Sequence, residues 1–292
     1  MRHHYVPEFL QKPWAENSSD GKLEVFRFDL PNIPSDRHTP KHTGFEHDLF
    51  ALTKDIVVGM EKQAIEKYFL KIIDNNASCV RDKLEDHGLS SLTTENRMDW
   101  ARFLMSLRLR QPDIVDMLKQ ESAEHLKKTL NDQPEEYEEL AAAEDAPTLE
   151  EWAEKRFPGL IENFGLSFFH KLVDNADIGS KILKMKWWLW DFSKAPYDLL
   201  LSDHPCIFTL GIDDPNCVIA LPIHPRKAFM ATQSDQMAEI MRQQRPRELV
   251  MRLNEYSINQ TRIRIYAQNE SPRRFIEKRI LRKKSKISDL ST

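Results

Sequence analysis

The hydrophobic period changes partway along this chain, and that change limits what it can fold into. From about Asp55 to Lys186 apolar residues recur at three- and four-residue steps, as in Ile65, Phe69, Ile72, Ile73, Val80 and Leu84. From Trp187 to Thr232 they gather in short runs separated by Pro, Gly and Asp clusters. A three- to four-residue period buries one stripe of a helix, whereas short runs bounded by turn residues suit antiparallel strands. Helices segregated from strands predict an α+β fold rather than an alternating α/β one. The expected architecture is a central helical bundle packed with a mainly antiparallel C-terminal sheet and an N-terminal β-hairpin.

Punctuation divides the chain further. Residues 1–54 are loop-rich, with a strand at Leu23 to Phe28 after the turn Asp20-Gly21, and a partner strand expected before it or around Phe45 to Leu52. In the helical region, residues 55–186, Gly88 is a stop signal, and Leu92-Thr93-Thr94-Glu95 reads as a helix start. Met98, Ala101, Leu104, Met105 and Leu107 continue that helix to Pro112, which kinks or ends it. A further amphipathic stretch runs from Asp113 to about Leu130. Residues 131–145 are acidic and read as a solvated helix or loop, since like charges repel and stay hydrated. Thr148-Leu149-Glu150-Glu151 matches a capping box, in which the Thr hydroxyl accepts from the Glu151 amide. In residues 187–270 the expected strands are Trp187–Phe192, Asp198–Leu201, Cys206–Leu210, Val218–Leu221 and Ala228–Thr232. A helix from Asp235 to Gln260, broken near Pro246, and a strand at Arg262–Ala267 follow. The tail, residues 271–292, is basic. One domain over residues 1–292 is expected; the alternative is a division near residues 131 to 147.

With 42 basic and 46 acidic residues, the net charge of −4 carries no global signature of nucleic-acid binding, although a local basic patch is compatible with it. Three cysteines, Cys79, Cys206 and Cys217, form neither a disulfide framework nor a C-x-x-C pair, which points to a reducing compartment. No apolar run reaches the roughly 18 residues of a membrane span, and no apolar segment follows Met1-Arg2-His3-His4-Tyr5 as in a signal peptide. A cytoplasmic location with no membrane partner is expected. The eight glycines are scattered, so a Gly-rich phosphate loop is absent, and so is a G-x-S-x-G elbow. The tryptophans at 187, 188 and 190 read as sheet and core residues.

Polar residues beside apolar elements are the candidates for chemistry. His3, His4 and Tyr5 begin the chain, and adjacent histidines on a strand point to opposite faces. Arg110 falls on or beside the apolar face of its helix, so its guanidinium requires a carboxylate or an anionic ligand. Asp203, in Ser202-Asp203-His204-Pro205, cannot accept from Pro205, which has no N–H. Its carboxylate must bond to the His204 amide, another backbone group, Arg110 or a ligand. His42, His47, His204 and His224 widen the metal question, but no spacing matches a named metal site, and no metal ligand is assigned.

His3-His4-Tyr5-Val6-Pro7 followed by Phe9-Leu10 resembles the N-terminal signature of the domain of unknown function 4238 family. The resemblance continues through the helix expected to carry Glu61 and Glu66, through Arg110-Gln111-Pro112, and through Ser202-Asp203-His204-Pro205. In that last motif His204 stands where the pattern has a small polar residue such as Asn. Leu221-Pro222-Ile223-His224-Pro225 and Leu253-Asn254 extend it. The resemblance implies no reaction and no cofactor.

Two functional readings follow. In the first, His4, Arg110 and Asp203 converge in a pocket that binds or hydrolyses an anionic, phosphate-containing ligand. His4 and Asp203 would be catalytic there, and His3, Tyr5, Arg110, Ser202, His204 and Asn254 would bind the ligand. In the second, the acidic 131–145 segment and the basic tail are interaction surfaces, the tail for nucleic acid.

Overall fold

The computed structural model describes residues 1–16, 18–53, 56–57, 60–132, 134–142 and 146–280. Its elements follow the expected segregation. The N-terminal part holds β1 (Arg2–His4), α1 (Glu8–Ala15), β2 (Leu23–Arg27), β3 (Ser35–His38) and β4 (Phe45–His47). Two short strands follow, β5 (Ile56–Val57) and β6 (Met60–Glu61), and then a π-helical stretch, Ile65–Leu70, continues into α2 (Lys71–His87). The helical region goes on with α3 (Thr94–Leu109), α4 (Pro112–Asn131), α5 (Pro134–Leu140), α6 (Leu149–Arg156), α7 (Leu160–Ser167), α8 (Phe169–Val173) and α9 (Ala176–Lys184). Then come β7 (Lys186–Asp191), β8 (Leu201–Ser202), β9 (Ile207–Phe208), β10 (Val218–His224), β11 (Lys227–Thr232), α10 (Asp235–Arg242), α11 (Pro246–Gln260) and β12 (Arg264–Ala267). Residues 273–280 form a last helix, α12.

Local chemistry sets the boundaries. The Thr93 hydroxyl accepts from the Asn96 amide at 3.2 Å, and the Asn96 side chain returns to the Thr93 amide, so a capping box starts α3. Pro112 ends the run at Leu109 and restarts it as the first residue of α4, where its missing N–H costs nothing. The Thr148 hydroxyl accepts from Glu151 at 3.1 Å, as the motif predicts. The helix expected from Asp55 starts ten residues later: β5 and β6 occupy part of that stretch, and Glu61 lies in β6 rather than on a helix. The expected strands at Asp198–Leu201 and Cys206–Leu210 shrink to two-residue bridges, β8 and β9.

All the sheets are antiparallel. One has the order β7-β11-β10-β9, with Ala220 of β10 opposite Met230 of β11 on one side and Ile207 of β9 on the other. The second has the order β3-β2-β12-β8, so β2 pairs with β3 and β12, while β4 pairs with β1. Trp187, Trp188 and Trp190 lie on the edge strand β7, half-buried against the core. A continuous core draws on residues from Tyr5 to Tyr266, with Trp100 of α3 edge-on to Phe229 of β11. A smaller cluster joins Phe26, Leu200, Ile258 and Ile265 to Ile276 and Ile280 of α12. The described part of the basic tail is therefore a packed helix, with Arg273 ion-paired to Glu270 and Arg279 to Glu255. Residues 281–292, including Arg282, Lys283, Lys284 and Lys286, lie outside the described residues, as do 143–145 of the acidic segment. Within that segment, Glu135, Glu138 and Glu139 on α5 are exposed. No helix among the described residues is long and apolar enough to cross a membrane.

Two glycines allow close approaches. Gly44 has φ +67°, and a Cβ there would meet the Gln11 amide nitrogen at 2.6 Å, where that side chain donates to the Val6 carbonyl. Gly165 of α7 lies against the backbone of α4, where a Cβ would come within 2.5 Å of the Leu118 carbonyl oxygen. The Gly165→Ala variant should lose about 1–3 kcal/mol in urea denaturation, because two backbones cannot yield as a side chain does. A variant as stable as wild type would show that α4 and α7 do not approach this closely.

Candidate functional site

The N-terminal polar residues act as internal braces. His3 is buried in β1 and stacks on Phe50 with ring centroids 5.6 Å apart. Its Nδ1 accepts from the Phe50 amide at 2.9 Å, so the ring proton sits on Nε2, facing Gln63 Oε1 at 2.7 Å. Burial lowers its pKa and favours this neutral form. His4 points the other way, with Nε2 3.6 Å from Glu8, and burial lowers its pKa against the pull of Glu8. The Tyr5 hydroxyl accepts from Arg264 Nη1 at 2.5 Å, and burial pushes its pKa up to about 12, so it stays a phenol.

Arg110 caps α3 and is 0% exposed. Its Nη1 lies 2.8 Å from Asp74 of α2, and its Nη2 donates to the Ser106 hydroxyl at 2.5 Å. The guanidinium is thus satisfied by a carboxylate within the protein. Glu66, on the π-helical stretch, adds a second carboxyl to this pair. Burial raises it to about 7, with Arg110 pulling it down and Asp74 pushing it up.

Asp203 resolves its turn through the backbone. Its carboxylate accepts from three successive amides, Arg262 at 3.1 Å, Ile263 at 2.6 Å and Arg264 at 2.9 Å. Its own amide donates to the Arg264 carbonyl. Ser202 and Thr261 hydroxyls lie 2.9 Å apart, and Ser202 Oγ accepts from the His204 amide at 3.0 Å. Asn254 is likewise occupied: it accepts from the Leu200 amide and donates to the Asp198 carbonyl, both at 2.8 Å. Among the described residues, no hydrogen bond or ion pair joins any two of His4, Arg110 and Asp203, and each has its own partners.

His204 is different. It lines an open cleft of about 290 Å³ where the end of α3, the start of α4, β9 and the end of α11 meet. Its Nε2 lies 3.3 Å from Asp113 Oδ1, and the other Asp113 oxygen lies 2.8 Å from Arg262 Nη2. Arg108 forms one wall, its guanidinium 4.7 Å from the centre of the Phe208 ring and without a carboxylate partner among the described residues. Arg108 and Arg110 are two positions apart on a helix, so they face opposite sides: Arg110 turns inward and Arg108 outward to the cleft. Gln111 lines the cleft and is 1% exposed; its amide nitrogen donates to the Leu107 carbonyl, and its Oε1 is buried without a hydrogen-bond partner. Cys206 shares the cleft, but burial pushes its thiol up to about 12, so it is no nucleophile at neutral pH. Among the described residues no cluster of three His, Cys, Asp or Glu could hold a metal ion. All three cysteines are free.

A family model described as "Protein of unknown function (DUF4238)" matches residues 2–271. The chain belongs to this family. No curated protein and no solved structure matches it. His3, Tyr5, Arg110, Asp203 and Asn254 all have partners within the protein. Of the sequence candidates, only His204 lines the cleft. Arg108, Gln111, Asp113 and Arg262 were missed. Their signal lay beside the motifs: Gln111 is inside Arg110-Gln111-Pro112, and Arg108 and Asp113 flank it.

The Asp203→Ala variant should lose about 2–4 kcal/mol in urea denaturation, because three partly buried amides lose their acceptor, and Asp203→Asn should fall between it and wild type. Equal stability of all three would show that the carboxylate does not hold the turn. Glu66 gives a pH signature. A folded pKa of about 7 lies above the ordinary 4.5, so the folded state binds this proton more tightly than the unfolded one. The contribution of this group to stability should therefore be full below pH 4.5 and fall by about 3 kcal/mol as pH rises through 7. Glu66→Gln should remove that component, and identical pH profiles would contradict the burial of Glu66.

Proposed function

We propose that this cleft binds a small anionic, phosphate-bearing ligand. Arg108 and Arg262 hold the anion, and His204, backed by Asp113, donates a hydrogen bond or a proton to it. The observation that carries the reading is Arg108: a guanidinium set against Phe208, at the wall of a concave site, with no carboxylate of its own among the described residues. A planar guanidinium fork suits phosphate oxygens. Asp113 and Ile114, in the first turn of α4, also line the cleft, and the first turn of a helix favours an anion.

Asp203 takes part as a positioning residue: it fixes the backbone of Arg262 and neighbours His204. If the ligand is hydrolysed rather than merely held, His204 with Asp113 is the acid–base pair, and the attacking group is water. The three free cysteines fit a reducing, cytoplasmic setting.

Calorimetric titration with pyrophosphate and with a nucleoside monophosphate tests this. Binding should be salt-sensitive, and Arg108→Gln or Arg262→Gln should weaken it roughly ten- to hundredfold, the range for loss of one charge-assisted contact. Absence of binding at millimolar concentration, or binding unchanged in both variants, would overturn the assignment.

A further inference from the structure

A second, larger cavity lies on the other side of β9. Along this strand and its flanks side chains alternate: Cys206 and Phe208 face the anion cleft, and Ile207 and Thr209 face the cavity. The cavity holds about 590 Å³, within the range of small-molecule pockets, about 300–1,000 Å³.

Its origin is visible in the strand register. Ile207, Ala220 and Met230 form one row across β9, β10 and β11. The small Ala220 in the middle leaves space under the covering helices, where Met237 and Met241 of α10 and Leu249 and Leu253 of α11 form the opposite wall. Protein interiors are close-packed, and an apolar space of this size leaves its lining without contact partners. Met side chains adapt to varied apolar shapes, and three of the lining residues are Met.

The rim is polar and has one unbalanced charge. Glu255 is 3.2 Å from Arg279, whereas Arg252, one turn earlier on α11, is exposed and has no carboxylate partner among the described residues. An apolar cavity with a single unpaired guanidinium at its rim is complementary to an amphiphile with one anionic end.

We infer that this cavity is a binding site for an aliphatic carboxylate, its acyl chain between the sheet and α10–α11 and its carboxylate on Arg252. The site is separate from the anion cleft and does not depend on it.

The test uses the delipidated full chain with three probes: dodecanoate, dodecanol and acetate. Dodecanoate should bind and raise the melting temperature, dodecanol should bind more weakly, and acetate should not bind. Arg252→Gln should weaken dodecanoate about tenfold and leave dodecanol unchanged, as expected for loss of one charge pair at the rim. Ala220→Leu should narrow the cavity at its floor and weaken both. If Ala220→Leu does not fold, Arg252→Gln decides, since that side chain is exposed and its loss leaves the fold intact. Dodecanoate that fails to raise the melting temperature would overturn the inference. So would an equal response of the two probes to Arg252→Gln, or a sedimentation result showing a second copy of the chain covering the cavity.

Discussion

The carboxylate of Asp203 holds the parts of this protein together. It gathers the amides of three consecutive residues, Arg262 to Arg264, and so fixes the entry to β12 against the turn that leaves β8. A buried carboxylate is costly unless it is hydrogen-bonded, and three donors meet that requirement without any cation. Three further placements follow. Arg264 reaches back to the Tyr5 hydroxyl and ties down the start of the chain. His204, the next residue, is turned to the cleft. Arg262 leaves the same backbone segment and meets Asp113 of α4. The N-terminus, the second sheet and the cleft thus share one anchor.

The contrast between paired and unpaired cations separates architecture from the candidate sites. Arg110 is sealed beside Asp74 and Ser106, so its guanidinium is satisfied within the protein. Arg108 and Arg252 stand at open cavities without carboxylates among the described residues. Two residues along α3 are enough to turn one arginine into a brace and leave its neighbour facing the cleft.

Much of the fold was legible in the sequence. The change from a helical to a strand period marked the α+β division, Thr93 and Thr148 marked helix starts where the structure has them, and Pro112 marked the break between α3 and α4. Short strands were less legible. β8 and β9 are two-residue bridges whose flanking apolar residues are buried by neighbouring elements rather than by a ladder. The π-helical start at Ile65 hid the β5–β6 pair, because apolar spacing does not distinguish the two over so short a stretch. For the site, the sequence pointed to polar residues near apolar ones, which is also the pattern of buried braces. Whether such a residue meets an internal partner depends on contacts between residues far apart in the chain, such as Arg110 with Asp74 or Asp203 with Arg262. Nothing in the sequence distinguishes Arg108 from other helix cations, and only the three-dimensional contacts show that no carboxylate among the described residues accompanies it.

Edge strand β9 divides the two proposed sites, a polar cleft on one face and an apolar cavity on the other. The most direct test of the account is a crystal soaked in tungstate, whose anomalous scattering marks phosphate-like positions. The account predicts a peak between the Arg108 and Arg262 guanidinium groups, within hydrogen-bonding reach of His204. An empty cleft, with tungstate bound only elsewhere on the surface, would contradict it.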